Sequence, residues 1–173
     1  MCVCKEIVVK SKALYTEDEK YRFLLEKTWN SGLPSIVFIG INPSDATELI
    51  FDKTIMNITN YAINNGFGSL SMVNLFPCRS KDQLAIKDKL NEHHDKNLEI
   101  IEKVIKEAVK VVIVWGRDAE SKKIYKNAID EVNGILKDQN ISPKCFKDCK
   151  GNINCHPSIG YSDGWTLTQY PQY

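Results

Sequence analysis

Four short clusters hold side chains able to bind or process a ligand: Gly40-Ile41-Asn42-Pro43-Ser44, Asn74-Leu75-Phe76-Pro77-Cys78-Arg79, Trp115-Gly116-Arg117 and Cys155-His156-Pro157-Ser158. Each has a plainer alternative. Asn-Pro starts turns because Asn caps and Pro presets φ. Asn74, at the end of an apolar run, either caps a neighbouring loop or reads a ligand, because an unsatisfied buried amide costs about 1–3 kcal/mol. Arg79 and Arg117 follow strand exits, where a guanidinium meets phosphate or carboxylate, or is simply solvated. His93 and His94, between Asn91 and Asp95, read as a solvated or capping pair at a helix start.

The six cysteines admit a metal reading through Cys145, Cys149, Cys155 and His156, with Cys2 and Cys4 as further ligands. The paired C-x2-C spacing of a zinc site is missing, so reduced thiols and no metal or cofactor are the expectation. Nor does the chain carry a phosphate-binding P-loop, a G-x-G-x-x-G, an H-E-x-x-H or a G-x-S-x-G. ATPase, dinucleotide-dependent, zincin and α/β-hydrolase chemistries therefore lose their usual support.

Positioning these clusters requires a sheet. The runs at 35–41, 70–76 and 109–115 are short and nearly continuously apolar, as in strands buried on both faces, and each ends in one of the clusters. Helical spacing covers 52–65, stopped by Gly66 and Gly68, then 91–108 and 119–137. This alternation predicts a parallel sheet covered on both faces, with its ligand crevice at the carboxyl ends of the strands. Residues 12–29 read as a β-hairpin, and 141–173, rich in turn formers and aromatics, carry no assignment.

Composition bounds the rest. A chain of 173 residues makes one α/β domain over 1–173. Lys and Arg number 23 against 22 Asp and Glu, a net charge of +1, which argues against a polybasic duplex binder. Charges interleave evenly over 81–110, as on a solvated helical face. No apolar run approaches a membrane span, and the charged start Met1-Cys2-Val3-Cys4-Lys5-Glu6 lacks a secretory signal, which predicts a cytoplasmic protein.

The ordered set Tyr21-Arg22-Phe23, Trp29, Gly32, residues 39–46, Asp52-Lys53-Thr54-Ile55, Val73-Asn74-Leu75-Phe76, Arg79, Trp115-Gly116 and His156-Pro157 resembles the bacterial and phage domain-of-unknown-function family 1643. More distantly, Gly40-Ile41-Asn42-Pro43 resembles the first motif, and His156-Pro157-Ser158 the second, of the uracil-DNA glycosylase superfamily, especially its mismatch-specific branch. This resemblance implies a three-layer sandwich around a central, mostly parallel four-stranded sheet, with the N-terminal hairpin added.

It also implies a nucleobase-recognising N-glycosylase-like hydrolase, acting on a base in nucleic acid or on a nucleoside or nucleotide derivative. Asn42 would position the hydrolytic water and His156 would donate to the departing base. Asn74 would read the base edge, and Phe51 or Phe76 would stack on it. Gly40, Ile41, Pro43, Ser44, Arg79, Gly116, Arg117 and Ser158 complete the implied binding set. Ser44 stands where a glycine commonly follows, Ile159-Gly160-Tyr161 departs from the duplex-wedging residues, and no aspartate occupies the water-activating position. Those departures favour the alternative, a non-catalytic nucleotide- or modified-base-binding protein. The expected partners are a nucleobase, a nucleotide or an extruded or single-stranded base; neither a membrane nor a protein partner is implied.

Overall fold

The computed structural model describes residues 2–79, 93–158, 161 and 164–171. Seven strands form one sheet: β1 (Lys10–Tyr15), β2 (Arg22–Thr28), β3 (Ser35–Gly40), β4 (Ser69–Asn74), β5 (Lys110–Ile113), β6 (Lys144–Lys147) and β7 (Thr166–Gln169). Four helices occur among the described residues: α1 (Lys53–Asn64), α2 (His94–Lys106), the single turn α3 (Arg117–Glu120) and α4 (Lys123–Asp138). None is long and apolar enough to cross a membrane.

Across the sheet the order is β1-β2-β4-β3-β5-β6-β7. The neighbours β4-β3-β5-β6 run parallel, whereas β1–β2, β2–β4 and β6–β7 are antiparallel. This corrects the expected central, mostly parallel four-stranded sheet with an added hairpin: the sheet is seven-stranded and mixed. Two physical reasons account for the difference. Arg22, Phe23, Leu25 and Lys27 are all buried, so β2 is an interior strand hydrogen-bonded to β4. At the other end, β6 and β7 are four residues each, and the two together bury little beyond Cys145 and Phe146, too little apolar sequence to announce a strand.

The buried strands alternate toward two faces. On one, Val37, Ile39, Val73 and Ile113 pack against Ile101 and Ile105 of α2 and Val132 and Leu136 of α4. On the other, Ile36, Phe38, Leu70 and Val112 pack against Ile55, Ile58 and Ala62 of α1. Aromatics from the unassigned C-terminal stretch close this second face, with Phe146 edge-on to Tyr61 at 5.0 Å and Trp165 5.9 Å from Phe146. Helix α1 starts where Asp52 accepts from the Ile55 amide at 2.7 Å and stops before Gly66, at φ 77°. The expected helix at 119–137 is divided into α3 and α4, and the start of the one expected at 91–108 lies outside the described residues.

Candidate functional site at the carboxyl edge of the sheet

Because β4, β3 and β5 are parallel neighbours, their exits fall on one edge; Gly40 is in register with Asn74, and Ile39 with Ile113. The ladder continues past the strand ends, where the Leu75 and Phe76 amides donate to the Gly40 and Ile41 carbonyls, both at 2.9 Å. From α2, Asn97 donates to the carbonyls of Asn74 and Leu75 at 2.9 and 3.1 Å, which holds the β4 exit in place.

The Asn74 side chain is 1% exposed, and neither Oδ1 nor Nδ2 has a hydrogen-bond partner among the described residues. Gly40 makes room for it. A methyl group at Gly40 would lie 2.8 Å from Asn74 Oδ1 and 2.6 Å from Met72 Cε, so only glycine lets this amide lie over the end of β3. In the loop that follows, Asn42 and Ser44 are half-buried and Pro43 is buried.

His156 is placed against the end of β5. Gly116 has φ 80° and ψ 159°, a conformation open to glycine, and a methyl group there would approach His156 Cβ to 3.3 Å. Helix α1 anchors the histidine loop, because Asn57 donates to the Pro157 carbonyl at 2.6 Å. The Ser158 amide donates to His156 Nδ1 at 3.2 Å, with Ser158 Oγ 2.8 Å from the same nitrogen. A lone pair on Nδ1 leaves the proton of the neutral ring on Nε2, available as a donor. Burial lowers the His156 pKa from its ordinary 6.5, and the Asp52 charge opposes that shift.

Unfolding returns His156 to its ordinary value, so below about pH 6.5 the unfolded chain binds a proton that the folded chain does not. The stability owed to the neutral ring is complete above that pH and is lost as pH falls through it. Urea midpoints should decline between about pH 7 and 5, and decline less in His156→Gln. Parallel declines in both proteins would mean that the ring is not held neutral by the fold.

Beside His156, a cavity of about 340 Å³ is lined by Gly116, Arg117, Asp118, Asn154 and Trp165, with the Arg117 residue exposed. Gly40, Asn74, Gly116, Arg117, His156 and Ser158 thus share one edge. Phe76 and Arg79 do not join them. Phe76 is in the core on the opposite face, 5.8 Å from the Tyr125 ring, because β4 ends at Asn74 and the side-chain alternation ends with it. Arg79 turns to the hairpin, donating to the Glu19 carbonyl at 3.3 Å and lying 5.4 Å from the Tyr15 ring. Ile159 and Gly160 lie outside the described residues.

Two buried cations escaped the sequence reading. Arg22 donates to the Ala46 carbonyl, and Lys27 donates to the Glu48 carbonyl at 2.8 Å and to Ser11 Oγ at 2.9 Å. Together they hold the loop between β3 and α1 from beneath, with the half-exposed Phe51 ring 4.2 Å from Lys27 Nζ. Burial lowers both pKa values. Charged residues in a hairpin are ordinarily exposed, and nothing in the local pattern distinguishes these two.

No disulfide joins any of the six cysteines. Cys145 is buried, with its thiol 3.8 Å from the Gln169 carbonyl, and Cys155 donates to the Asn152 carbonyl at 3.2 Å. Burial pushes both thiols up, away from the thiolate form that binds metal. Among the described residues no group of three His, Cys, Asp or Glu is placed to hold a metal ion.

No curated protein and no solved structure matches the chain. Residues 22–158, which run from the buried Arg22 through the exits of β3, β4 and β5 to Ser158, match the family described as "Protein of unknown function (DUF1643)", and the chain belongs to that family.

Proposed function

We propose that the protein is a nucleobase-recognising hydrolase of N-glycosylase type, acting on a base in nucleic acid or on a nucleoside or nucleotide derivative. The observation that carries this reading is the buried Asn74 amide, with donor and acceptor both unmatched. An amide in that state suits the edge of a base, which presents the complementary pair, and a base entering the crevice would satisfy both atoms at once.

His156 supports the hydrolytic part. As the C1′–N bond breaks, its electron pair moves onto the base, and negative charge grows on a carbonyl oxygen of the base. A neutral imidazole with its proton on Nε2 stabilises that oxygen by donating a hydrogen bond. Water, oriented by Asn42 as in the glycosylase motif that Gly40-Ile41-Asn42-Pro43 resembles, adds to C1′ and loses a proton to solvent. The base anion takes up a proton from solvent, so the products are free base and a sugar hemiacetal. The net charge of +1 is compatible with capture of a single base and gives no help to broad duplex binding.

A second reading, binding without turnover, is favoured by Asp52. This carboxylate, whose field reaches His156, already accepts from the Ile55 amide as the cap of α1, which leaves water activation to a neutral amide. Chromatography of purified protein incubated with nucleosides, nucleotides and uracil-containing single-stranded DNA separates the two. Release of free base, reduced about 10²–10³-fold in His156→Ala and in Asn42→Ala, is the expected result. Calorimetric binding without release would establish the second reading. Absence of binding at micromolar concentrations would remove both.

A further inference from the structure

Strand β1 is the outermost strand of the sheet and pairs only with β2, so its other side presents unpaired N–H and C=O groups. Chain 2–9 leads into it outside any ladder, and it carries Val3, Ile7, Val8 and Val9 at 77%, 74%, 70% and 52% exposure. Isolated exposed valines need no explanation, but four large apolar side chains in one seven-residue stretch, continuous with an open sheet edge, form a surface that associates. Natural edges are protected by charge, and here the charges are placed symmetrically: Glu6 and Lys10 flank Ile7-Val8-Val9 at equal distance from Val8.

We propose that this segment is the interface with a second copy of the chain, paired antiparallel about a two-fold axis through Val8. In that register Glu6 of each copy faces Lys10 of the other, Ile7 faces Val9, Lys5 faces Ser11, and Val3 faces Ala13. Both cross-strand ion pairs are of opposite sign, and the apolar residues at odd positions lie together on one face of the extended sheet. Ala13 already packs against the α1-side core, so Val3 of the second copy prolongs that face. Lys12 is bound in its own chain to Glu26 at 3.0 Å, whereas Glu6 and Lys10 have no ion-pair partner among the described residues. A depression of about 470 Å³ walled by Val8, Lys10, Glu26, Thr28 and Trp29 borders the edge on the even face, where Glu6 and Val8 of the second copy would lie.

Interfaces built on one self-complementary patch close as two-fold dimers, so the association stops at two. Sedimentation of the full chain in reducing buffer from about 1 to 100 µM tests this directly. Wild type is expected to be dimeric at the upper end of that range. Glu6→Lys sets like charges opposite each other twice and should weaken association about tenfold or more, and adding Lys10→Glu should restore it. Val8→Pro, which places a ring and a fixed φ in the middle of the paired segment, should leave monomer. At concentrations low enough for wild type to be monomeric, all variants should unfold at the wild-type temperature, because the altered positions are exposed. A monomer throughout, or a dimer indifferent to Glu6→Lys and Val8→Pro, overturns the interface. Failure of the charge swap to restore association overturns the register.

Discussion

Asn74→Leu should stabilise the fold by about 1–3 kcal/mol while weakening nucleobase binding at least about a hundredfold. The two effects share one cause. A side chain 1% exposed with both polar atoms unpartnered loses its hydration on folding and recovers nothing inside the protein. Leucine has the same heavy-atom branching as asparagine, though its methyl groups are bulkier, so it occupies the space above Gly40 without that penalty and offers a ligand no hydrogen bond. For a chain of this length the gain corresponds to a melting temperature higher by about 2–10 °C. Thermal unfolding and calorimetry with nucleobases and nucleotides, run on the same preparations, check both halves. A melting temperature that falls by several degrees would mean that the amide supports the fold, and the argument for base reading would fail with it.

Glu120→Ala should destabilise the protein by about 2–4 kcal/mol, a drop of about 5–15 °C. One carboxylate oxygen accepts from Asn154 Nδ2 and the Tyr170 hydroxyl, both at 2.6 Å, and from Trp115 Nε1 at 3.4 Å. These donors come from the segment after β6, from the residue following β7 and from the exit of β5, so a single side chain on α3 joins three separate stretches. Removing it strands all three donors. Burial and the adjacent carboxylate push the Tyr170 phenol far above its ordinary range, which keeps it a donor at any working pH. Chemical denaturation of the variant measures the loss. A change under about 1 kcal/mol would show that water replaces the carboxylate at little cost.

The two residues on which these expectations rest were unequally legible. Asn74 stood out in the sequence because a lone amide closing an apolar run has few explanations, Gly40 and Gly116 were marked by the same logic of strand exits, and His156 by the His-Pro-Ser that resembles the second glycosylase motif. Glu120 was hidden in a helix rich in charge, where an acidic residue reads as solvated. Arg22 and Lys27 were hidden the same way. Charges in hairpins are ordinarily exposed, and only the pairing of β2 with β4 places these two beneath the loop between β3 and α1.

Local sequence determined what depends on nearest neighbours along the chain: the three apolar strands, helix α1 with its glycine stop, and the clusters at strand exits. It determined the edge chemistry too, since Glu6 and Lys10 are symmetric about Val8 in the sequence itself. Tertiary structure alone decided the sheet order, the incorporation of β2 as an interior strand and the addition of β6 and β7, because these strands acquire their hydrogen bonds and burial from partners distant in sequence. The same holds within the site. Phe76 turned to the opposite core and Arg79 to the hairpin because β4 ends at Asn74, and side-chain direction beyond a strand end is set by packing and no longer by alternation.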